Sequence, residues 1–325
     1  MNHLFEKAYK EIAKAKKIFL VTHFNPDGDA IASICALTLY LESLGKNYFA
    51  YCETPLPERY SFIPNFHKVK NAKEINAGSS RFLESFDLIL VFDCARKERT
   101  SLGRLIGSRS LNLRVIEFDH HPKCDDYAEI ELRDSTASST TEIVYSFFKT
   151  NRIPVGRDLA TCILTGIITD TDAFLYPSAT GQSVKIGSEM LRSGASHLRI
   201  VEKYMRNKSL PVLKNWGRIL ESLVINKKYN IAIAVLTREA FSQRQISEEE
   251  YEGLSGFLSN LIGVRAILFL RETEPGVVRG SFRTALKQID VAKLAEILGG
   301  GGHRAAAGFA LPGRLVATNS GWKVE

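Results

Sequence analysis

The sequence lacks the cysteine pairs, long apolar segments and repeats that mark several classes of protein. Its five cysteines are widely spaced and form no Cys-x-x-Cys pair, so we expect reduced thiols and neither a disulfide framework nor a zinc knuckle. No apolar run approaches the roughly 20 residues that span a bilayer, and residues 1–17 form an amphipathic Lys/Glu-rich segment instead of a secretory leader. These absences predict a cytoplasmic protein that does not bind a membrane.

The size and composition are those of a two-domain globular protein. Single hydrophobic cores usually stop growing at roughly 250–300 residues, and this chain has 325. A hydrophobic content of 45% and a charged content of 24% exclude extensive disorder. The net charge of +7 favours an anionic partner, although Lys and Arg scattered over solvated faces explain most basic proteins.

One short stretch places an imidazole and two carboxylates directly after an apolar run. His23, Asp27 and Asp29 are close in sequence, and we expect Gly28 to let the backbone turn sharply so that the two acids face neighbouring ions. A helix predicted over residues 30–44 follows, and its positive end favours ionised acids. The stretch predicts a cation site, although Asn-Pro-Asp-Gly alone is also typical of a surface turn.

Two further predicted strands also end in polar residues. Residues 87–92 are mostly apolar at consecutive positions and lead into Asp93, a pattern typical of a strand buried on both faces of a parallel sheet. Residues 115–118 lead into Asp119-His120-His121. Ligands bind at the carboxyl ends of strands in open α/β sheets, so these residues are candidates for one site. The other elements predicted here are a strand over 47–52 and helices over 141–150 and 158–169, the last ending beside Asp170.

A second, smaller α/β domain is predicted after a helical and charged connector. We place the first domain at residues 1–185, a helical linker at 186–215 and the second domain at 216–325. Strands are predicted over 230–237, 264–271 and 277–284, and helices over 248–261 and 290–298. Four glycines, residues 299–302, precede His303; their backbone amides predict an anion cradle, and a flexible loop is the alternative.

The acids and imidazoles at these strand and helix ends suit divalent cations such as Mn²⁺. Among the candidate ligands, carboxylates outnumber imidazoles and there is no cysteine. Two ions about 3.5–4 Å apart could share Asp93 as a bridge and hold a hydroxide between them. Taken singly, an Asp at a strand end is more often a turn or cap residue, and a His pair is as often structural. The proposed metal ligands are His23, Asp27, Asp29, Asp93, His120 and Asp170.

In chain order, these motifs resemble the DHH/DHHA1 phosphoesterases, and within them the nano-RNase and pAp phosphatase group. The resemblance covers nearly the whole chain. It implies an N-terminal, mostly parallel-sheet α/β (DHH) domain and a smaller C-terminal α/β (DHHA1) domain, with the active site in the cleft between them. The motifs that carry it are His23-x-Asn25-Pro26-Asp27-Gly28-Asp29, Asp93, Asp119-His120-His121, Thr169-Asp170-Thr171 and Gly299-Gly300-Gly301-Gly302-His303-x-x-Ala306-Ala307-Gly308.

The resemblance also implies a role for each residue. Asp119 would orient His120, and His121 would face the phosphate as a hydrogen-bond donor or general acid, so that Asp93, Asp119 and His121 form the catalytic group. By similarity one Mn²⁺ would be held by His23, Asp27 and Asp93, and the other by Asp29, Asp93, His120 and Asp170. The residues that would grip a substrate phosphate are Ser281, Arg283 and His303, assisted by the amides of Gly301 and Gly302.

The activity implied is metal-assisted hydrolysis of short single-stranded RNA or DNA oligonucleotides to mononucleotides, and of 3′-phosphoadenosine 5′-phosphate (pAp) to AMP. Alternatives are a linear or cyclic dinucleotide phosphodiesterase, an inorganic pyrophosphatase or polyphosphatase, and, from another class, a non-catalytic nucleic-acid binder. The sequence leaves open whether the protein is a homodimer.

Two positions depart from the family pattern. Ala32 and Asp172 stand where glycine is usual. We expect Ala32 to alter only close helix packing and Asp172 to face solvent.

Overall fold

The protein divides into two compact units, Met1–Asn207 and Lys208–Glu325, which are described separately. The computed structural model describes residues 1–73, 80–206, 208–242, 253–318 and 321–325.

The first unit is built on a six-stranded parallel sheet in the order β3-β2-β1-β4-β5-β6. From β1 the chain adds β2 and β3 on one side, and then β4, β5 and β6 on the other. In parallel sheets, ligands bind at such a switch point, in the crevice at the carboxyl ends of the strands. The strands are β1 (Lys17–Thr22), β2 (Asn47–Tyr51), β3 (Val69–Lys70), β4 (Leu88–Phe92), β5 (Arg114–Asp119) and β6 (Ile130–Arg133). The α-helices are α1 (Asn2–Lys14), α2 (Gly28–Ser43), α3 (Ser80–Leu83), α4 (Gly103–Gly107), α5 (Thr140–Thr150), α6 (Arg157–Asp170), α7 (Gly181–Arg192) and α8 (His197–Tyr204).

Both faces of this sheet are covered, as the uninterrupted apolar run of β4 predicts. Leu88, Leu90 and Phe92 pack into the larger core, which includes residues of α1, α2, α5 and α6. Ile89 and Val91 point to the opposite face and pack into a second core. Side chains alternate between the faces of a strand, so only an apolar residue at every position fills both cores. The predicted parallel-sheet α/β fold is confirmed.

Helix α2 begins two residues before the predicted start, because Asp27 caps it. The Asp27 carboxylate accepts hydrogen bonds from the amides of Asp29 and Ala30, at 3.1 and 3.0 Å. Gly28 is therefore helical and makes no left-handed turn, contrary to our expectation. Its small size serves packing instead: a Cβ at Gly28 would lie 2.5 Å from Cγ2 of Thr169, so glycine allows α2 and α6 to approach closely.

The second unit contains a mixed six-stranded sheet in the order β11-β12-β10-β9-β8-β7, in which only β8 and β9 are parallel. Helices α9 and α11 pack over β8 and β9 on one face, and α12 packs on the other. The strands are β7 (Val224–Asn226), β8 (Ile231–Leu236), β9 (Ala266–Glu274), β10 (Val277–Arg283), β11 (Gly301–His303) and β12 (Ala306–Pro312), with a separate hairpin of β13 (Leu315–Thr318) and β14 (Gly321–Val324). The helices are α9 (Leu210–Glu221), α10 (Arg238–Ser242), α11 (Leu254–Leu258) and α12 (Val291–Ile297).

Two predictions for this unit need comment. Of the helix predicted over 248–261, residues 248–252 lie outside the described part of the chain, and the described part holds α11. The glycine run is not a free loop, because Gly301 and Gly302 enter the edge strand β11. Glycine is required for this pairing: a Cβ at Gly300 would lie 2.1 Å from the carbonyl oxygen of Gly308.

Among the described helices, none is both long enough and apolar enough to cross a membrane.

Candidate metal centre and phosphate-binding face

The candidate metal centre lies at the carboxyl ends of three neighbouring strands of the first unit. β1 leads to His23, β4 leads to Asp93, and β5 leads through Asp119 to His120. β1 pairs with β4 and β4 pairs with β5, so these three positions are adjacent in space although they are far apart in sequence. The acids of α2 and the end of α6 complete the set.

Asp93 stands between the two other strand ends and faces both. Its Oδ2 lies 3.7 Å from Nε2 of His23, and its Oδ1 lies 3.5 Å from Nε2 of His120. The residue is almost fully buried and has a left-handed backbone (φ 59°), a conformation that Asp and Asn tolerate better than most residues. The two carboxylate oxygens therefore point toward two different groups of candidate ligands.

Those groups form two clusters of possible metal ligands. His23, Asp27 and Asp93 form one, and Asp29, His120 and Asp170 form the other, with the ligand atoms of each cluster within 4.8 Å of one another. His120 Nε2 lies 3.4 Å from Oδ2 of Asp170. The structure thus brings all six predicted ligands together in the first unit.

Two of the clustered carboxyls lie beside like charges: Asp29 is buried, and Asp170 is partly buried, with 25% of its side chain exposed. Burial, and then the charges of Asp93 and Asp27, raise the pKa of Asp29 well above its usual value. Burial also raises the pKa of Asp170 well above its usual value, with Asp29 and Asp27 adding to the effect. Like charges gathered in a poorly solvated place favour a compensating cation.

The pKa values of Asp93 and His120 are shifted in the direction that suits metal ligands. Burial alone would raise the pKa of Asp93, but interactions with His121 and His23 hold it well below its usual value. Burial lowers the pKa of His120, which favours the neutral form that ligates metals.

A buried nitrogen of His23 supports the fit of a cation. Its Nε2 makes no hydrogen bond with any described residue, because 3.7 Å to Asp93 is too long for one. Its Nδ1 lies 2.9 Å from the carbonyl oxygen of Phe24, which orients the ring so that Nε2 points toward Asp93. Oxygen-rich ligands with two imidazoles fit Mn²⁺ or a similar divalent ion.

Asp119 is engaged mainly with His121 in this structure. Its Oδ1 lies 2.9 Å from Nδ1 of His121 and accepts a hydrogen bond of 2.8 Å from the His121 amide. Its Oδ2 accepts a hydrogen bond of 2.6 Å from the amide of Ala95. Burial alone would lower the pKa of His121, yet hydrogen bonds with Asp119 and Asp93 raise it well above its ordinary value. The geometry therefore favours Asp119 as the residue that orients His121, where the resemblance implied His120.

Sequence reasoning missed two groups that contact the centre. Arg133, at the end of β6, donates a hydrogen bond of 2.6 Å to the carbonyl oxygen of His121 and pairs with the buried Glu117 at 2.7 Å. Thr140, at the start of α5, donates a hydrogen bond of 2.8 Å to Oδ1 of Asp93. The sequence signal for the second was the run of four hydroxyl residues at 138–141, which could also be interpreted as helix capping.

The two departures from the family pattern have structural explanations. Ala32 is fully buried in the larger core, consistent with a packing role. We expected Asp172 to face solvent, but the residue is half-buried. Burial raises the pKa of Asp172, and a hydrogen bond with Tyr204 opposes the rise. Asp172, Ala173 and Phe174 all have positive φ, between 48° and 69°, which explains why glycine suits the first of these positions.

Four of the five predicted phosphate-binding residues of the second unit share one sheet face. Ser281 and Gly301 both pair with Gly308, and Arg283 and His303 both pair with Ala306, so each set occupies one row across β10, β12 and β11. Two strand spacings separate the members of a row by about 10 Å. Gly302 lies in the row between these two, which faces the other side of the sheet, and it has a positive φ of 142°.

Comparison with known protein families agrees with this arrangement. Residues 17–167 match the N-terminal domain of the DHH family, and residues 228–319 match the DHHA1 domain. The first match covers the parallel sheet of the first unit, and the second match covers most of the mixed sheet of the second unit.

Relatives and a solved structure match over almost the whole chain. The bifunctional oligoribonuclease and PAP phosphatase NrnA of Bacillus subtilis is 30% identical over 90% of this chain and 89% of its own length. The protein of the same name from Thermus thermophilus is 26% identical, over 93% of this chain and 87% of its own length. A crystal structure of an exopolyphosphatase-related protein from Bacteroides fragilis superposes with a TM-score of 0.86 at 26% identity, covering 95% of this chain and 91% of that one.

Proposed function

Because the chain belongs to the DHH/DHHA1 family of phosphoesterases, we propose that it hydrolyses short single-stranded oligonucleotides to mononucleotides, and pAp to AMP, with two Mn²⁺ ions. The family match and the NrnA-named relatives support a hydrolase that acts on phosphate esters of nucleotides. The length of the match to NrnA-named relatives, 90% and 93% of this chain, supports the finer assignment. The cytoplasmic location stays a prediction from the sequence.

The observation that carries the proposal is the position of the Asp93 carboxylate. One oxygen faces His23 and the other faces His120, and these imidazoles belong to separate ligand clusters. Asp93 would therefore serve as a ligand common to both clusters. When bound, two divalent cations lower the pKa of a water nucleophile and offset the charge of the phosphoryl oxygens.

The protein's own residues would orient the phosphate for attack. Because Nδ1 of His121 is hydrogen-bonded to Asp119, a hydrogen bond from His121 to a phosphoryl oxygen would come from Nε2. Arg133 fixes the backbone of the same residue by donating to its carbonyl oxygen. His121 would thus donate to the phosphate or protonate the leaving oxygen.

The second unit supports a substrate with more than one phosphate. Arg283 and His303 lie in one row of a sheet face whose neighbouring row carries Ser281 and Gly301. Arginine and bare backbone amides are typical phosphate-binding groups. We propose that a second phosphate of the substrate binds here.

Product analysis on a 5′-labelled trinucleotide with Mn²⁺ tests the proposal. We expect mononucleotides, release of AMP from pAp, and cleavage of di- and trinucleotides at least about tenfold faster than a long RNA, equivalent to ~1.4 kcal/mol of transition-state preference. EDTA should stop the reaction and Mn²⁺ should restore it. The proposal would be contradicted by equal rates on all RNA lengths or by full activity in EDTA. It would also be contradicted if pyrophosphate or cyclic dinucleotides were hydrolysed faster than linear oligonucleotides.

Removing the Arg283 side chain should weaken substrate binding more than catalysis. Because Arg283 would contact a phosphate distant from the reacting one, we expect Arg283→Ala to raise KM by about tenfold or more, as loss of a hydrogen bond to a charged group does, with little change in kcat. Steady-state kinetics on pAp and on a trinucleotide measure the two constants. Arg314→Ala removes an exposed arginine of the same unit and serves as the control. A loss confined to kcat would instead place Arg283 in the chemical step.

A further inference from the structure

The first turn of α5 holds two carboxylates of the metal centre at once. The hydroxyl of Thr140 donates a hydrogen bond of 2.8 Å to Oδ1 of Asp93, and the amide of Thr140 donates one of 2.6 Å to Oδ2 of Asp29. The amide of Thr141 donates another, of 3.0 Å, to Oδ1 of Asp29. Both oxygens of Asp29 and one of Asp93 are therefore positioned by a single helical turn.

This use of the helix start follows from the geometry of helices. The first amides of a helix have no partner within it and bind well to anions. Here a carboxylate from α2 occupies that position, and it is one of the candidate ligands of the second cluster. The Thr140 hydroxyl extends the arrangement to β4, so two ligands from different elements are linked through one residue.

The turn itself is fixed by its own hydrogen bonds. Ser139 caps α5 by accepting a hydrogen bond of 3.2 Å from the amide of Glu142. The Glu142 carboxylate in turn accepts hydrogen bonds from the amide and the hydroxyl of Ser138, at 3.0 and 2.8 Å. Ser138, Ser139 and Thr140 are almost fully buried, so the Thr140 hydroxyl has a defined direction before any ion binds.

We propose that Thr140 is a positioning residue of the metal centre: its hydroxyl sets the orientation of the Asp93 carboxylate between the two ligand clusters, and thereby the affinity for both ions. This inference rests on the two-cation centre proposed above. The hydroxyl occupies one lone pair of Oδ1 and prevents the carboxylate from rotating, so less ordering is needed when a cation binds. Partners of this kind typically contribute about 10–100-fold to metal affinity.

Mn²⁺ titration of the metal-free protein without substrate, followed by electron paramagnetic resonance of free Mn²⁺, tests the proposal. Thr140→Val keeps the shape and the backbone amide but removes the hydroxyl, and we expect it to weaken Mn²⁺ binding by about tenfold or more. Thr140→Ser should restore the affinity. Thr165→Val is the matched control, because among the described residues that buried hydroxyl donates only to the carbonyl oxygen of Thr161, within α6.

The outcomes separate this inference from the proposed function. Unchanged Mn²⁺ affinity in Thr140→Val, or an equal loss in Thr165→Val, would overturn the role of Thr140 while leaving the metal centre in place. Absence of Mn²⁺ binding to the unsubstituted protein would overturn the proposed function and this inference with it. If Thr140→Val fails to fold, Thr140→Ser and Thr140→Ala replace it, since both lack the methyl group and only the second lacks the hydroxyl. Equal affinities in this pair would again overturn the proposal.

Discussion

Asp93→Asn is expected to lower kcat by about a thousandfold or more while the protein stays folded. The carboxylate faces both ligand clusters, so its loss removes a charge from each, and several kcal/mol of charge stabilisation correspond to at least this factor. Asparagine has the same shape as aspartate and, like it, tolerates the left-handed backbone at this position. Alanine tolerates that conformation less well. Turnover of a trinucleotide in Mn²⁺ gives kcat, and circular dichroism reports the fold.

A second measurement separates lost chemistry from a lost metal centre. A ligand that binds only the folded state raises the melting temperature, so Mn²⁺ should stabilise the unsubstituted protein. We expect this Mn²⁺-dependent rise to shrink or disappear in Asp93→Asn. Asp126→Asn is the control, because Asp126 is an exposed aspartate that pairs with Lys123 on the surface. Activity above a tenth of the original, or an undiminished response to Mn²⁺, would show that Asp93 does not bridge the ions.

Gly166→Ala is expected to destabilise the first unit and disturb the metal centre together. A Cβ at Gly166 would lie 2.3 Å from Oδ1 of Asp29 and 2.3 Å from Oγ1 of Thr141. Both side chains are buried, so neither can move away without loss of packing or of the hydrogen bond from the Thr141 amide. Overpacking of this kind costs about 1–3 kcal/mol of unfolding free energy. Denaturant unfolding and Mn²⁺ titration measure the two effects.

The same substitution elsewhere in the chain should have the opposite effect. Gly217 is an exposed residue of α9, and a Cβ there would meet nothing within 4 Å. Alanine is favoured over glycine in a helix by up to about 1 kcal/mol, so Gly217→Ala should stabilise the protein slightly. If Gly166→Ala also proved neutral or stabilising, the close approach of α6 to Asp29 would have no role in the centre.

The sequence predicts the first unit well because hydrophobic pattern and position agree there. A strand such as β4, apolar at every position, fits few environments other than the middle of a covered parallel sheet. Polar residues that directly follow such strands must lie at the same edge, and this is how His23, Asp93 and His120 could be grouped. Asp27, Asp29 and Asp170 were grouped with them from their places at helix ends, and the family resemblance then divided the six ligands between two ions. The match to the DHH and DHHA1 domains confirms the resemblance.

What the sequence did not predict depends on contacts between distant residues. Nothing local indicates that the Thr140 hydroxyl reaches Asp93, since 47 residues separate the two. Two adjacent histidines follow Asp119, and the sequence does not indicate which of them turns back to bind its carboxylate; in the structure it is His121. The sequence did not predict strand β11 because glycine has a low strand propensity. The glycines are explained by a contact with a separate strand, since Gly300 lies against the backbone of Gly308 and Gly301 pairs with it.

The six candidate ligands extend from residue 23 to residue 170 and belong to five different segments of the first unit. Cation binding at this centre would therefore require β1, β4, β5, α2 and α6 to be in place together, since no hairpin or helix pair of the first unit contains all six residues. Long-range pairings of this kind form slowly during folding. Hydrolytic capacity is consequently a late product of folding, acquired only when the first unit is complete.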